Sequence, residues 1–107
     1  MRRRAGIAVL LALCAGAAAA DEAPGPARRA ELVKLVRQDC GACHGMTLKG
    51  GLGPSLESAA LAGKDAEALR VVVLHGRRGT PMPPWSAFLS EPEARWIVDA
   101  LKSGFPK

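Results

Sequence analysis

The stretch from Cys40 to His44, which reads CGACH, carries the residues best suited to chemistry. Two thiols at this spacing, with an imidazole directly after them, can add to the two vinyl groups of a haem and deliver the histidine to one face of the iron. The motif C-x-x-C-H is typical of c-type haem attachment. We therefore predict that Cys40 and Cys43 form thioethers to one haem c and that His44 is the proximal ligand of its iron.

Two other chemistries compete for the same residues. A structural zinc site needs four ligands, usually Cys or His. Beyond CGACH, the only Cys or His of the mature sequence is His75, 31 residues after His44. A redox disulfide of the thioredoxin kind would follow a β-strand, whereas the segment before Cys40, ARRAELVKLVRQD, has helical spacing. Haem attachment is therefore the favoured interpretation.

The opposite face of the iron needs its own ligand, and three residues are candidates. Met46 is two residues after His44, too close along the chain to cross to the other face, and is expected to pack. Met82 lies in GTPMPPW, where flanking prolines restrict the backbone, and we predict that it is the distal ligand. His75 is retained as the substitute ligand, because histidine is the other common axial partner of haem.

The N-terminal segment predicts export. Residues 1–20 begin with a run of three arginines, continue as an apolar stretch and end in small residues, which is the layout of a cleaved signal peptide. The apolar stretch is shorter than the roughly 20 residues of a membrane span, so no stable membrane anchor is expected. A lipid anchor on Cys14 is the rival interpretation, but Leu13 stands where a lipoprotein signal has a small residue.

Composition bounds the rest of the chain. Removal of residues 1–20 leaves 87 residues with 12 Lys and Arg against 10 Asp and Glu, so the net charge is +2 rather than +5. Nucleic-acid binding is therefore not expected. A domain of this size with two Trp and two Phe is marginal on hydrophobic burial alone and is expected to complete its core with a cofactor. We divide it into a flexible leader, 21–26, and one all-α domain, 27–107.

Three helices are expected to position these residues. The first covers about 27–39 and delivers the haem motif. The second covers about 65–75 and is ended by a glycine. The third covers about 90–103, and its start is marked by a capping box of Ser90 and Glu93.

The two segments between the helices are predicted to be irregular. The glycine-rich stretch GMTLKGGLGPSLESAALAG is expected to wrap closely around a flat cofactor, because glycine lets the backbone approach. Within it, the carbonyl of Pro54 is a candidate partner for the second ring nitrogen of His44. The segment RRGTPMPPW, with its three prolines, is expected to be a stiff loop.

Four stretches together, CGACHG, GGLGPSL, LHGRRGTPMPPW and LSEPEARWIVDAL, resemble class I c-type cytochromes. They resemble in particular the small NirC or c55X cytochromes associated with cytochrome cd1 nitrite reductase, and the resemblance covers the chain from about Glu31 onward. It implies a class I cytochrome c fold, with three to four helices around one covalent haem and His44 and Met82 as iron ligands.

The resemblance also implies a function. It points to a periplasmic electron carrier, not an enzyme, that donates electrons in denitrification to cytochrome cd1 nitrite reductase or another periplasmic redox protein. The alternatives are an accessory protein in haem d1 biosynthesis and nitrite reductase maturation, and a five-coordinate haem protein that binds a gas.

Three basic residues are expected to surround the exposed haem edge. Lys49 follows the haem motif, while Arg77 and Arg78 precede the Met82 loop, so all three are candidates for steering a partner. Arg77 or Arg78 has an alternative role in pairing with a haem propionate, because a bidentate arginine suits carboxylates.

Overall fold

The computed structural model describes Gly6, residues 8–12 and residues 22–107. Most of the predicted signal peptide, including Cys14, lies outside the described residues. The described positions within it, Gly6 and 8–12, have no regular secondary structure. Within the described part of the chain, no helix is both long enough and apolar enough to cross a membrane.

The first helix, α1, spans Pro26–Leu35 and begins one residue earlier than predicted, because proline suits the first turn of a helix. Its N-cap residue, Gly25, provides no side-chain hydrogen bond. The preceding Pro24 is buried, and its carbonyl accepts a hydrogen bond from Arg29 Nε at 2.8 Å. The end of the leader is therefore packed against the start of α1.

Helical structure continues beyond α1 into the haem motif. A π-helical turn covers Val36–Cys40, and a single turn of α-helix, α2, spans Gly41–His44. The predicted first helix, 27–39, lies in the right place but ends too early, since glycine at position 41 does not interrupt the helix. A π-helical turn within a helix is often found at a functional site.

A short helix interrupts the glycine-rich stretch that was predicted to be irregular. This helix, α3, spans Ser58–Leu61, where the glycines give way to a serine and two alanines. Lys102 stabilises its C-terminal end, because Lys102 Nζ donates a hydrogen bond to Leu61 O at 3.0 Å and another to Lys64 O. Backbone carbonyls that lack partners at a helix end are thereby satisfied.

The helix α4 spans Ala66–His75, in agreement with the prediction to within one residue. Asp65 caps its N-terminus and accepts a hydrogen bond from Ala68 N at 2.9 Å. Gly76 follows its last residue. The run of three valines does not prevent the helix, because Leu74 and its neighbours pack into the core.

The last helix, α5, spans Glu91–Ser103 and begins with the predicted capping box. Ser90 Oγ accepts a hydrogen bond from Glu93 N at 3.3 Å, and Ser90 N donates to Glu93 Oε1 at 2.9 Å. One face of α5 is buried and consists of Ala94, Ile97, Val98 and Leu101.

One hydrophobic core joins the helices. Leu32 of α1 and Val36 of the π-helical turn are fully buried and pack with the apolar face of α5. The other buried members come from the loops, α3 and α4, and they are Leu48, Leu61, Leu74 and Leu89. The described residues form helices and loops without a β-strand, so the predicted all-α class is confirmed.

Candidate functional site

The CGACH motif lies on the helical stretch that ends at His44. Cys43 and His44 follow Cys40 by three and four positions, which places the three side chains on the same side of a helix. Cys40 is half-buried, Cys43 is exposed, and both are free thiols. The stretch therefore carries both thiols and the imidazole on one side, at the spacing that covalent attachment of a haem requires.

The two competing chemistries fit this geometry poorly. Among the described residues, no three His, Cys, Asp or Glu side chains come together as ligands for a metal ion. Burial, together with the neighbouring Asp39 carboxylate, raises the pKa of Cys40 to about 11. The thiolate of Cys40, the reactive form in disulfide exchange, is thereby disfavoured. The residues before Cys40 are also helical, whereas a thioredoxin-like motif follows a β-strand.

His44 is oriented by the loop that follows it. Its Nδ1 lies 2.7 Å from the carbonyl oxygen of Pro54, so the partner predicted from the sequence is confirmed. A carbonyl oxygen only accepts hydrogen bonds, so Nδ1 carries the proton and Nε2 is the nitrogen that can bind a metal. An axial haem ligand needs this tautomer and a ring held in one orientation.

Gly53 packs against the same imidazole ring. A β-carbon on Gly53 would lie 2.7 Å from both Cε1 and Nδ1 of His44, closer than real contacts allow. The loop is held there by its backbone, since Gly53 N donates to Cys43 O at 2.8 Å and Gly50 N donates to His44 O at 2.8 Å. The glycines were predicted to allow close approach to a flat cofactor, and the structure shows a close approach of Gly53 to the imidazole.

Met82 lies half-buried in an irregular loop that follows α4, as predicted for the proline-rich segment. The loop is attached to the C-terminal end of α4 through Trp85 N, which donates to Val73 O at 3.1 Å. Within the loop, Arg77 N donates to Met82 O at 3.2 Å. Met82 is thus held on a segment distant in sequence from the one that carries His44.

Two residues that sequence reasoning did not assign to the site hold Met82 in place. Thr80 Oγ1 donates to Arg77 O at 2.7 Å and accepts from Met82 N at 3.3 Å. Gly76 has a φ of 73°, and a β-carbon there would lie 2.7 Å from Met82 O. Ser and Thr hydroxyls in turns often accept a hydrogen bond from the backbone two residues on, so the sequence signal for this role is the threonine two residues before Met82.

The remaining candidates lie at the surface. Met46 exposes 68 % of its surface. His75 is an exposed residue in the last turn of α4, a position that suits a basic side chain. The three basic residues predicted to surround the haem edge are also exposed, and they are Lys49, Arg77 and Arg78.

These residues fit a haem c. Two thiols and one oriented imidazole come from one helical stretch, and a thioether comes from a separate loop with a restrained backbone. Next to Gly53, Leu52 exposes 95 % of its surface, which is apolar area that a flat cofactor can cover. The donor set, two Cys, one His and one Met, matches that of haem proteins with His and Met on the iron.

Comparison with known proteins gives the same result. The family described as cytochrome c oxidase, cbb3-type, subunit III matches residues 27–99. Cytochrome c55X of Pseudomonas aeruginosa is 51 % identical over 108 residues, which cover 96 % of this chain and 91 % of that protein. Cytochrome c55X of Paracoccus denitrificans is 54 % identical over 97 residues, which cover 91 % of this chain and 93 % of that protein.

Solved structures show the same similarity. The c-type cytochrome NirC matches with a TM-score of 0.75 and 53 % identity, over 76 % of this chain and 95 % of that chain. By sequence alone, dihydro-heme d1 dehydrogenase of Pseudomonas aeruginosa is 38 % identical over 94 % of this chain, but the match covers only 19 % of that larger protein.

Similarity at this level over nearly the whole length of the c55X relatives, together with the matching structure, establishes the family. Members of it carry covalently bound haem c, which agrees with the thiols and the imidazole of the CGACH motif. The chain belongs to the class I c-type cytochromes of the NirC or c55X type.

Proposed function

We propose that this chain is an exported, periplasmic one-electron carrier. It holds one haem c through Cys40 and Cys43, with His44 and Met82 as the axial ligands of the iron. The haem supplies a one-electron iron couple when bound. The side chains of the chain bind and orient that group and perform no chemistry on a substrate, so the protein is not an enzyme.

The observation that carries this proposal is that both candidate ligands are held in place by other groups. Pro54 O fixes the imidazole of His44 through Nδ1 at 2.7 Å. Thr80 and Arg77 restrain the backbone of Met82 on either side of its side chain. Ligands that are held before the reaction need little rearrangement during it, and this favours fast electron transfer. The same restraint disfavours a five-coordinate, gas-binding iron.

The proposed partner is cytochrome cd1 nitrite reductase. Support comes from the similarity to the c55X cytochromes and from three exposed basic residues that are candidates for facing an acidic partner surface, Lys49, Arg77 and Arg78. Arg77 or Arg78 has the alternative role of pairing with a haem propionate.

Stopped-flow mixing tests the electron-carrier role. Reduced holoprotein is mixed with oxidised cytochrome cd1 nitrite reductase, and oxidation of the carrier is followed by its absorbance. We expect a second-order reaction that slows as the ionic strength rises. Oxidation no faster than that of the carrier alone in the same buffer contradicts the proposed partner.

A second candidate function is a role in haem d1 biosynthesis. It is favoured by the similarity of almost the whole chain to part of dihydro-heme d1 dehydrogenase. A strain that lacks this chain separates the two functions when it is supplied with nitrite reductase matured elsewhere. Full recovery of nitrite reduction supports the biosynthetic role, and a persistent defect supports the electron-carrier role.

A further inference from the structure

A groove of about 450 Å³ lies beside the haem motif and is distinct from it. Its walls come from the π-helical turn before the motif, the loop after it, the α3 region and the C-terminal tail. Neither the two cysteines of the motif nor His44 or Met82 lines it. The four side chains proposed to hold the haem are therefore not walls of the groove.

The floor of the groove is apolar and preformed. Leu48 is 3 % exposed, and Leu56 and Phe105 pack against the core beside it. Arg37 holds Phe105 in position, because its guanidinium carbon lies 5.4 Å from the centroid of the ring and its Nη2 donates to Pro106 O. The C-terminal tail is thus a built wall of the groove.

The rim of the groove is basic. Three basic side chains line it, those of Arg37, Lys49 and Lys107, against the Glu57 carboxylate and the α-carboxylate of Lys107. The lining therefore carries one net positive charge. Among the described residues, the ion pairs involve other cations, which are Arg28, Arg70 and Arg95. Lys49 and Lys107 therefore have no acidic side-chain partner within that part of the chain.

The groove also flanks the haem motif on both sides. Arg37 is three residues before Cys40 in the π-helical turn, and Thr47 is three residues after His44. Along the chain, the walls of the groove therefore come within three residues of the motif at both of its ends.

We propose that this groove docks an acidic surface segment of the redox partner. An apolar side chain of that segment packs on Leu48 and Phe105, and flanking Asp or Glu carboxylates face Lys49 and Lys107. Apolar contact at the centre with charge at the rim is the usual composition of a protein interface. The inference rests on the proposed electron-carrier function and assigns docking to the groove rather than to Arg77 and Arg78.

Two charge-matched double variants test this assignment. Lys49→Gln with Lys107→Gln removes two charges from the groove, and Arg77→Gln with Arg78→Gln removes two charges from the Met82 loop. In stopped-flow reactions with cytochrome cd1 nitrite reductase at low salt, we expect the groove variant to react about tenfold more slowly, with a flatter salt dependence. The loop variant is expected to react within about twofold of wild type. The opposite ranking overturns the proposal.

A charge-neutral pair of variants tests whether the groove itself is occupied. Ala59 and Ala60 are exposed neighbours in α3, but only Ala59 lines the groove. We expect Ala59→Phe to slow the reaction with the reductase while leaving its salt dependence intact, and Ala60→Phe to leave the rate unchanged. Equal rates for the two variants contradict docking in the groove.

A titration without the reductase separates this proposal from the proposed partner. The probe is a synthetic peptide with a central leucine and two aspartates on each side, added to ¹⁵N-labelled holoprotein. We expect amide shifts concentrated at 47–49, 56–59 and 104–107, and their loss in the Lys49→Gln, Lys107→Gln variant. If the wild-type protein fails to react with the reductase, the proposed partner is wrong. The titration still shows whether the groove binds an acidic segment.

Two results of the titration overturn the proposal. One is the absence of shifts in the groove, or the same shifts in the double variant. The other is a set of shifts at these positions that depends on protein concentration without peptide, which assigns the groove to a second copy of the chain.

Discussion

The two candidate iron ligands are held by different kinds of structure. His44 ends a helical stretch, and its side chain is bound directly by Pro54 O. Met82 belongs to a loop, and the hydrogen bonds that restrain it involve its backbone amide and carbonyl. The histidine side is therefore oriented through the side chain and the methionine side through the main chain.

The chemistry of the two side chains explains this difference. An imidazole has a second nitrogen through which a neighbouring carbonyl can set its tautomer and orientation. A thioether sulfur is at most a weak acceptor, so hydrogen bonds cannot orient it well and its position must come from the backbone. The prolines on both sides of Met82, the hydroxyl of Thr80 and the glycine at position 76 serve this purpose. We expect the methionine side to open more easily.

The largest effect is expected from removing the covalent attachment of the haem, on which the histidine side and the methionine side both depend. Cys40→Ala with Cys43→Ala abolishes haem retention and cooperative folding, because a small domain gains much of its core from its cofactor. Circular dichroism and thermal melting of the variant and the wild-type holoprotein measure this. Ala42→Ser, between the two cysteines, is the control that keeps the haem. A haem-free variant with full helical content and a cooperative melt contradicts the expectation.

On the methionine side, Gly76→Ala is expected to lower the free energy of unfolding by about 3 kcal/mol. The backbone conformation of Gly76 costs other residues about 1–3 kcal/mol. The new methyl group would also clash with Met82 O. Denaturant unfolding of the ferric holoprotein measures it. We also expect a weaker methionine-to-iron charge-transfer band.

The matched control for Gly76 is Gly63→Ala, where nothing lies within 4 Å of the new β-carbon. An equal loss of stability in both variants, or an unchanged band in Gly76→Ala, shows that this glycine does not position Met82.

On the histidine side, Gly53→Ala is expected to cost about 2 kcal/mol of unfolding free energy, because the added methyl group overlaps the imidazole of His44. The reduction potential should change with it, since the ring must tilt away from Pro54. Denaturant unfolding and a redox titration measure the two effects. A variant with the stability and potential of wild type shows that the loop moves aside and that Gly53 does not restrain the ring.

The smallest effect is expected far from both ligands, at Glu93. The hydrogen bond with Arg28 lowers the pKa of Glu93 in the folded protein. This bond therefore stabilises the fold fully above the pKa of an unfolded glutamate, about 4.3. The stabilisation is lost as the pH falls through the pKa of the folded state. Glu93→Gln should lower the free energy of unfolding at pH 7 by about 1 kcal/mol. The difference from wild type should vanish in acid.

Unfolding of the holoprotein across a pH series measures this prediction. Asp99→Asn, an exposed site on the same helix, is the control and should change stability by less than about 0.5 kcal/mol. A difference between wild type and Glu93→Gln that stays constant down to the lowest pH contradicts the assigned cause.

Local patterns in the sequence predicted much of the fold. The ends of α4 were recognisable from Asp65 and Gly76, and the start of α5 from the capping box of Ser90 and Glu93. Each of these signals lies within a few residues of the helix end that it marks. Pro54 was also a candidate partner of His44, because it lies only ten residues away in the glycine-rich loop that follows the motif.

The remaining features depend on contacts that sequence patterns do not display. The short helix α3 packs against α5 through Leu61, a contact that no local pattern marks. The helix also continues through CGACH although a glycine follows Cys40. Gly53 stood among several glycines, and only the position of the imidazole distinguishes it. The groove joins Arg37 to Phe105, 68 residues apart, so no local pattern could indicate it.

If His44 and Met82 are the two axial ligands of the haem iron, the ferric absorption spectrum of Met82→Ala must differ from that of wild type. We expect covalent haem, loss of the methionine-to-iron charge-transfer band, and a fall in potential of about 0.1 V, a fraction of the roughly 0.8 V that axial ligands span. Met46→Ala, the exposed methionine, should retain the wild-type spectrum. An unchanged spectrum in Met82→Ala would exclude Met82 as an axial ligand and direct the search to His75.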